Sequence, residues 1–218
     1  MPDDYAPMNL THHFLIAMPG LEDASFSRSV VYVCEHSERG ALGLIINKPA
    51  EINLRGLFEK VDLTLGRADL LDQPVFRGGP VQTERGFVLH DAMRGTPQGG
   101  RAGRREVATG DEEGEAEGDE PSSYASTMAI AGGLEMTTSK DVLEALSHGA
   151  GPQRVLVALG YSAWGEGQLE SELAENSWLT VGADTAVIFE TPVVERYDRA
   201  LGLLGLQSWM LSRDAGHA

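Results

Sequence analysis

The chain of 218 residues carries a formal net charge of -16, from 33 acidic against 17 basic side chains, with 42% hydrophobic and 6% aromatic residues. That composition suits an ordinary soluble core. The negative field repels phosphate backbones and anionic headgroups at long range, so it argues against non-specific nucleic-acid or membrane-surface binding and leaves room only for a local basic groove.

The N-terminus, MPDDYAPMNL, is acidic, and the apolar piece at 14–18 is too short for the core of a secretory signal. No window approaches the ~20 apolar residues of a membrane span. The lone cysteine, Cys34, excludes an intramolecular disulfide and sits in an apolar run, where it reads as a small buried hydrophobe. A cytoplasmic location is the expectation, with no membrane partner.

Alternating or continuous apolar runs predict strands at 13–17, 30–34, 41–47, 75–77 and 86–90. Glu38-Arg39-Gly40 predicts a hairpin turn that makes the second and third of these antiparallel partners. Asn53 is placed to cap a short helix over 54–61, with Leu54, Leu57, Phe58 and Val61 on its inner face.

Between 95 and 123 large apolar residues nearly vanish. Residues 99–123 hold eight of the 33 acids and three of the 17 bases, so the remainder of the chain stays at -11. Such a stretch cannot bury enough surface to offset its ordering entropy, and it reads as a disordered acidic insertion within one domain spanning 1–218.

Beyond it, 125–130 and 133–136 predict a second hairpin around Ala131-Gly132. Thr138 or Ser139 then caps a helix with Val142, Leu143 and Leu146 inward and Gly149 past its end. The fully apolar run 155–159 predicts a central strand. Further strands are expected at 178–181 and 186–189. Pro192 opens a last helix with Val193, Val194, Tyr197, Leu201 and Leu204 inward. Strands and helices mix without strict alternation, which predicts an α+β fold with a mixed, largely antiparallel sheet and a few flanking helices.

The known signatures of phosphate-binding loops, dinucleotide folds, paired-cysteine or histidine metal sites and hydrolase nucleophile elbows are missing, so no cofactor and no metal are expected. Candidates for chemistry are scattered. His36 and His90 each follow an apolar strand, where an imidazole can act as acid or base or bond to backbone. Asn47 ends a strand before Lys48-Pro49 and reads as a turn residue bonding its own downstream backbone. Gly78-Gly79-Pro80-Val81 forms a tight turn whose amides could face an anion, although Pro80 donates none. Gln168, Glu172 and Asn176 recur at a spacing of four beside the buried pair Leu169 and Leu173. Glu170, Ser171 and Glu175 face further outward. Glu172 is therefore either pinned by an arginine or backbone amides, or part of a pocket wall flanked by Trp164 and Trp178.

Several blocks carry a resemblance: NLTHHFLIAMP, SVVYVCEH, GALGLIINKP, VFRGGPV, RGFVLH, TTSKDVLEAL, VLVALGYSAWGEGQLESELAENSWL and the terminal GHA. Together they resemble the AlgH/YqgE family of small bacterial proteins over nearly the whole chain except 95–123. The resemblance implies an α+β domain whose sheet bends into a pseudo-barrel. Family members are described as transcriptional regulators, and the resemblance implies no particular reaction. No helix-turn-helix pattern is legible, and the charge opposes direct DNA contact.

Three functions compete. The first is a non-enzymatic regulatory or binding module that recognises a protein or small ligand through Asn47, Gly79, His90, Gln168, Glu172 and Asn176. The second is a hydrolase or transferase that joins His36 or His90 to Glu172. The third is a transcriptional regulator that reads DNA directly.

Overall fold

The structure, a computed structural model, describes residues 9–93 and 124–211. The insertion expected at 95–123 and the terminal GHA block lie outside the described residues.

Among the described residues, ten strands form one sheet. They are β1 (His13–Ala17), β2 (Val30–Ser37), β3 (Gly40–Ile45), β4 (Pro49–Asn53), β5 (Pro74–Arg77), β6 (Val81–Asp91), β7 (Thr127–Ile130), β8 (Leu134–Thr137), β9 (Val155–Trp164) and β10 (Trp178–Gly182). Their main path runs β10-β1-β2-β3-β9-β6-β8-β7, and β4 joins through β5. The pairings are antiparallel except that of β5 with β9. The sheet curls into a half-barrel rather than closing, which agrees with the expected α+β class. Both hairpins form as the turn residues predict, β2 with β3 and β7 with β8.

Strand β9 is central, as its unbroken apolar run required. Its edge facing β3 is shared. Residues Ala158 and Leu159 pair with β5, while Ser162, Ala163 and Trp164 pair with β3. The sheet therefore forks at Gly160, and this fork shapes the cleft described below.

Period-two alternation divides the core. Phe14, Ile16, Tyr32, Leu44 and Leu89 point to the concave face, which α4 (Thr185–Phe189) and α5 (Arg196–Leu203) fill with Val187, Ile188, Tyr197 and Leu201. Leu15, Val31, Val33 and Ile45 point outward to a cluster covered by α3 (Gln168–Ala174) through Leu169. Val75, Val88, Val155 and Val157 form a second outward cluster, covered by α1 (Leu54–Lys60) and α2 (Asp141–Ser147). Cys34 is buried, as expected.

Several local expectations are corrected. Residues 186–189 are not a strand but most of α4. The Asp184 side chain accepts the Ala186 N–H, capping a helix that buries Val187 and Ile188 together. Tertiary burial of two adjacent residues overrides their β preference. Neither Thr138 nor Ser139 caps α2, which starts after Lys140 without a side-chain cap bond; the Thr138 hydroxyl instead accepts from Arg85. Leu146 is buried inside α2 as expected, and Gly149, with φ +73°, follows its end. Asn53 does cap α1, accepting from Gly56, but Val61 falls past the helix and is exposed. Pro192 opens a single 3-10 turn, Val193–Glu195, before α5 begins. The tighter winding turns the inner face, so Val194 is 87% exposed while Arg196 is buried.

Candidate functional site

The stripe at 168–176 folds into a closed polar network. The Glu172 carboxylate accepts N–H bonds from the indoles of Trp164 and Trp178 at 2.9 and 2.8 Å, both through Oε2. Its Oε1 accepts from Gln168 Nε2 at 2.9 Å, and Gln168 Oε1 accepts the Gly165 N–H at 3.0 Å. The two indoles meet edge to face and Phe26 packs on both. Trp164 and Trp178 are buried. Glu172 is thus pinned by indole N–H groups rather than by an arginine or backbone amides. Each carboxylate oxygen is engaged, and the tryptophans bury area and donate to it rather than flanking an opening. Asn176 does not share the helix. It follows the C-terminus of α3 with φ +56°, a conformation asparagine tolerates.

The two histidines lie apart from Glu172. His36 is buried in β2, where its Nδ1 accepts the Leu10 N–H at 3.0 Å. The proton therefore sits on Nε2, which donates to Glu170 Oε1 at 2.9 Å. The partner is the neighbour expected to face outward. The pair ties the segment before β1 to α3. His90 is fully buried in β6, and its Nδ1–H donates to the carbonyl of Asp91 at 2.7 Å. Its Nε2 has no hydrogen-bond partner among the described residues, and its ring meets Tyr124 edge-on. The expected union of either histidine with Glu172 does not form: α3 brings Glu170 rather than Glu172 to His36, and His90 lies in β6, which pairs with β8 and β9.

Asn47 bonds upstream, not downstream. Its Oδ1 accepts the Val30 N–H at 2.8 Å and its Nδ2 donates to the Arg28 carbonyl at 2.9 Å. Both ends of its amide hold the entrance of β2 against the exit of β3. That fixes the residue after it, Lys48.

Lys48 is one wall of an open cleft of about 590 Å³. Arg77, at the end of β5, is on another. A backbone bond from Arg77 N–H to the Lys48 carbonyl, 2.8 Å, sets the two side by side. The floor is cross-linked in the same way. Gly78 N–H donates to the Leu159 carbonyl, Ile45 N–H donates to the Gly78 carbonyl, and the Ser162 hydroxyl donates to that same carbonyl. Ile45 and Leu159 belong to different outward clusters, so the cleft opens where the α3 cover stops and the α1–α2 cover has not begun. Gly79 lines it with φ +156°. A Cβ there would lie 2.2 Å from the Tyr161 carbonyl carbon, so only glycine passes this close to β9. Pro80 and Thr83 continue the wall. Between Val81 and Gly86 the register of β6 on β9 shifts, and the intervening residues bulge from the sheet.

Charge is under-satisfied here. The Lys48 ammonium donates to the Ala24 carbonyl at 3.3 Å. Arg77 comes no closer than 4.0 Å to Glu51, whose side chain is 96% exposed. Burial pushes the Lys48 pKa down, Asp23 pulls it back up, and the like charge of Arg77 pushes it down again. Of the residues singled out from sequence, Gly79 lines this cleft, whereas Asn47 positions it from outside, and His90, Gln168, Glu172 and Asn176 lie elsewhere. Lys48 and Arg77 were missed as functional residues. Their signal was present: each cation stands between an apolar strand and a proline-bounded turn, NKP and RGGP, in a strongly acidic chain.

Comparisons with known proteins match nearly the whole chain. A family model described as DUF179, AlgH-like, matches residues 14–209. A UPF0301 protein of Acidovorax sp. (strain JS42) is 78% identical over 218 residues, covering 100% of both chains. One of Paracidovorax citrulli is 75% identical, again over 100% of both. The solution structure of the AlgH protein from Pseudomonas aeruginosa superposes with a TM-score of 0.68 at 41% identity, covering 98% of each chain. A crystal structure of a Corynebacterium diphtheriae protein, 17% identical with a TM-score of 0.61, covers 88% of this chain and 85% of its own and shares the fold. Among the described residues, no helix is long and apolar enough to cross a membrane.

Proposed function

The chain belongs to the AlgH-like family, and from that premise we propose that it is a non-enzymatic binding module whose Lys48–Arg77 cleft takes a small ligand and couples its presence to regulation. One observation carries this reading. Two cations are held side by side by a main-chain hydrogen bond, above a glycine-lined floor, where Lys48 donates only to a carbonyl at 3.3 Å and Arg77 reaches Glu51 only at 4.0 Å among the described residues. Cationic side chains pointed into a concave site and left short of partners are what an anionic or polar ligand replaces. The cleft also falls within the usual volume of small-molecule sites, about 300–1,000 Å³.

The catalytic alternative has less support. His36 is engaged at both nitrogens, and the Glu172 carboxylate is engaged at both oxygens. Neither lines the cleft, so the expected pairing of a histidine with Glu172 does not face a bound molecule there. Regulation through direct DNA reading is disfavoured by the net charge of -16.

The test is a fragment screen read by amide chemical shifts on the full chain. Saturable shifts should cluster at residues 45–51 and 77–83. Hits that cluster elsewhere, or a cleft that stays silent to every fragment, would overturn the reading.

A further inference from the structure

The chemistry of the cleft narrows what it can hold. Lys48 and Arg77 supply two positive charges. Glu51 stands at the edge of reach from Arg77, and Asp23 acts on Lys48. The surroundings are therefore close to neutral, inside a chain of net charge -16. A dianion placed there would meet two cations, two nearby carboxylates and a repulsive far field. A monoanion would pair with the cations and add only half of that excess.

The donor set points the same way. A guanidinium offers a planar fork that matches a carboxylate through two parallel N–H bonds, while the ammonium acts as a point charge beside it. The hydroxyls of Ser25 and Thr83 line the same cleft and can donate to remaining lone pairs. The rest of the lining, apart from Glu51 and Gly79, is apolar: Leu159, Ala24, Ala50 and Pro80 present hydrocarbon beside the charged end, above a buried Ile45. A bare inorganic ion would leave that surface wet. A molecule with an acidic head and a hydrocarbon body would cover it and gain from its removal from water.

We infer that the cleft binds a small monocarboxylic acid with a short apolar body, its carboxylate between Lys48 and Arg77 and its body on Leu159, Ala50 and Pro80. This rests on the binding-module reading and specifies its ligand class.

The experiment titrates the full chain with hexanoate, acetate, 1-hexanol, hexylamine and inorganic phosphate, following the amides of Ile45, Lys48, Arg77 and Leu159. Hexanoate should saturate these shifts. Acetate should bind at least 10-fold more weakly for want of a body, and hexylamine should leave the charged end unmoved. Arg77→Met should weaken hexanoate at least 10-fold, and Arg77→Lys, which keeps charge but loses the fork, by a smaller factor. Arg77 is 65% exposed in its side chain, so these variants should fold. Lys48→Met provides a second, independent loss. Hexanol binding the cleft as tightly as hexanoate would overturn the carboxylate assignment and leave the binding-module reading standing. So would phosphate displacing hexanoate at lower concentration. Silence of the cleft toward all five probes would overturn the ligand class, and silence extended to the fragment screen would remove the binding module itself.

Discussion

The Glu172 network and the Lys48–Arg77 cleft are both polar regions on the outward face of one sheet, and they differ in how completely their groups are satisfied. Around Glu172 each carboxylate oxygen has a donor, each indole N–H has an acceptor, and aromatic rings close over the whole. Around Lys48 and Arg77 the cations reach only a carbonyl at 3.3 Å and a carboxylate at 4.0 Å. The first arrangement stabilises the fold by completing itself. The second keeps capacity for something not in the chain. A stripe of polar residues is therefore a weak functional sign, and unmet polar capacity in a concave place is a stronger one.

Substitutions can break or sharpen this contrast. The largest effect is expected at Gly79→Ala. The new Cβ would meet the Tyr161 backbone at 2.2 Å while φ stays at +156°. Overpacking and backbone strain should together cost about 3 kcal/mol or more. Urea denaturation measures it, and an unchanged midpoint would mean that the cleft floor yields.

Glu172→Ala comes next. It strands two buried indole N–H groups, each bonded to a charged acceptor, at a cost of about 2–3 kcal/mol. Glu172→Gln keeps an acceptor and should lose less. A wild-type melting temperature in the alanine variant would contradict the structural role given to this network.

Asn47→Ala should cost about 1–2 kcal/mol, through the lost bonds to Val30 and Arg28. It should also blur the amide signals of Lys48, because the asparagine holds that residue in place. Unperturbed Lys48 signals would mean that the cleft wall is held by other contacts.

Lys48→Met and Arg77→Met should move stability by only about 0.5 kcal/mol or less, since Lys48 loses one 3.3 Å bond to a carbonyl and Arg77 a 4.0 Å contact with an exposed carboxylate. A large loss of stability in either would place these residues in the self-completing class and erase the contrast.

The smallest effect is one of pH. Burial holds the folded-state pKa of Lys48 below its ordinary value, with Asp23 opposing and Arg77 reinforcing the shift. Between the folded and unfolded values the unfolded chain binds more protons, so this group's contribution to stability rises with pH. The wild type should gain on Lys48→Met as pH climbs through that window, read as the difference between their urea midpoints. An equal pH profile for the two would show that the lysine is not desolvated.

Much of the architecture was legible from the residues alone. The unbroken apolar runs at 13–17, 30–34 and 155–159 mark strands covered on both faces. Asn53 announces its helix and Glu38-Arg39-Gly40 its hairpin. The failures occur where burial of neighbouring residues competes with local preference. Val187 and Ile188 look like strand residues but pack as one helical turn, and Val194 looks like an inner residue but lies outside once the 3-10 turn shifts the face. The candidate site was legible in part. Gly79 was read as part of a tight turn that excludes side chains, and its backbone passes too close to β9 for a Cβ. His36 was read next to the wrong carboxylate, because Glu170 rather than Glu172 comes to β2 when α3 crosses it.

The amino-acid order by itself determined most of the strands and helices, the family and the acidic field, since each follows from local periodicity, turn chemistry or composition. Only the tertiary structure decided which polar groups are spent and which are left over. That outcome depends on partners far apart in the chain. Lys48 meets Arg77 because β9 gives one edge to both β3 and β5, and Glu172 is quenched because Trp164 and Trp178 arrive from two different strands. A hydrogen bond needs a partner within about 3 Å, and across distant segments only the folded chain sets that distance.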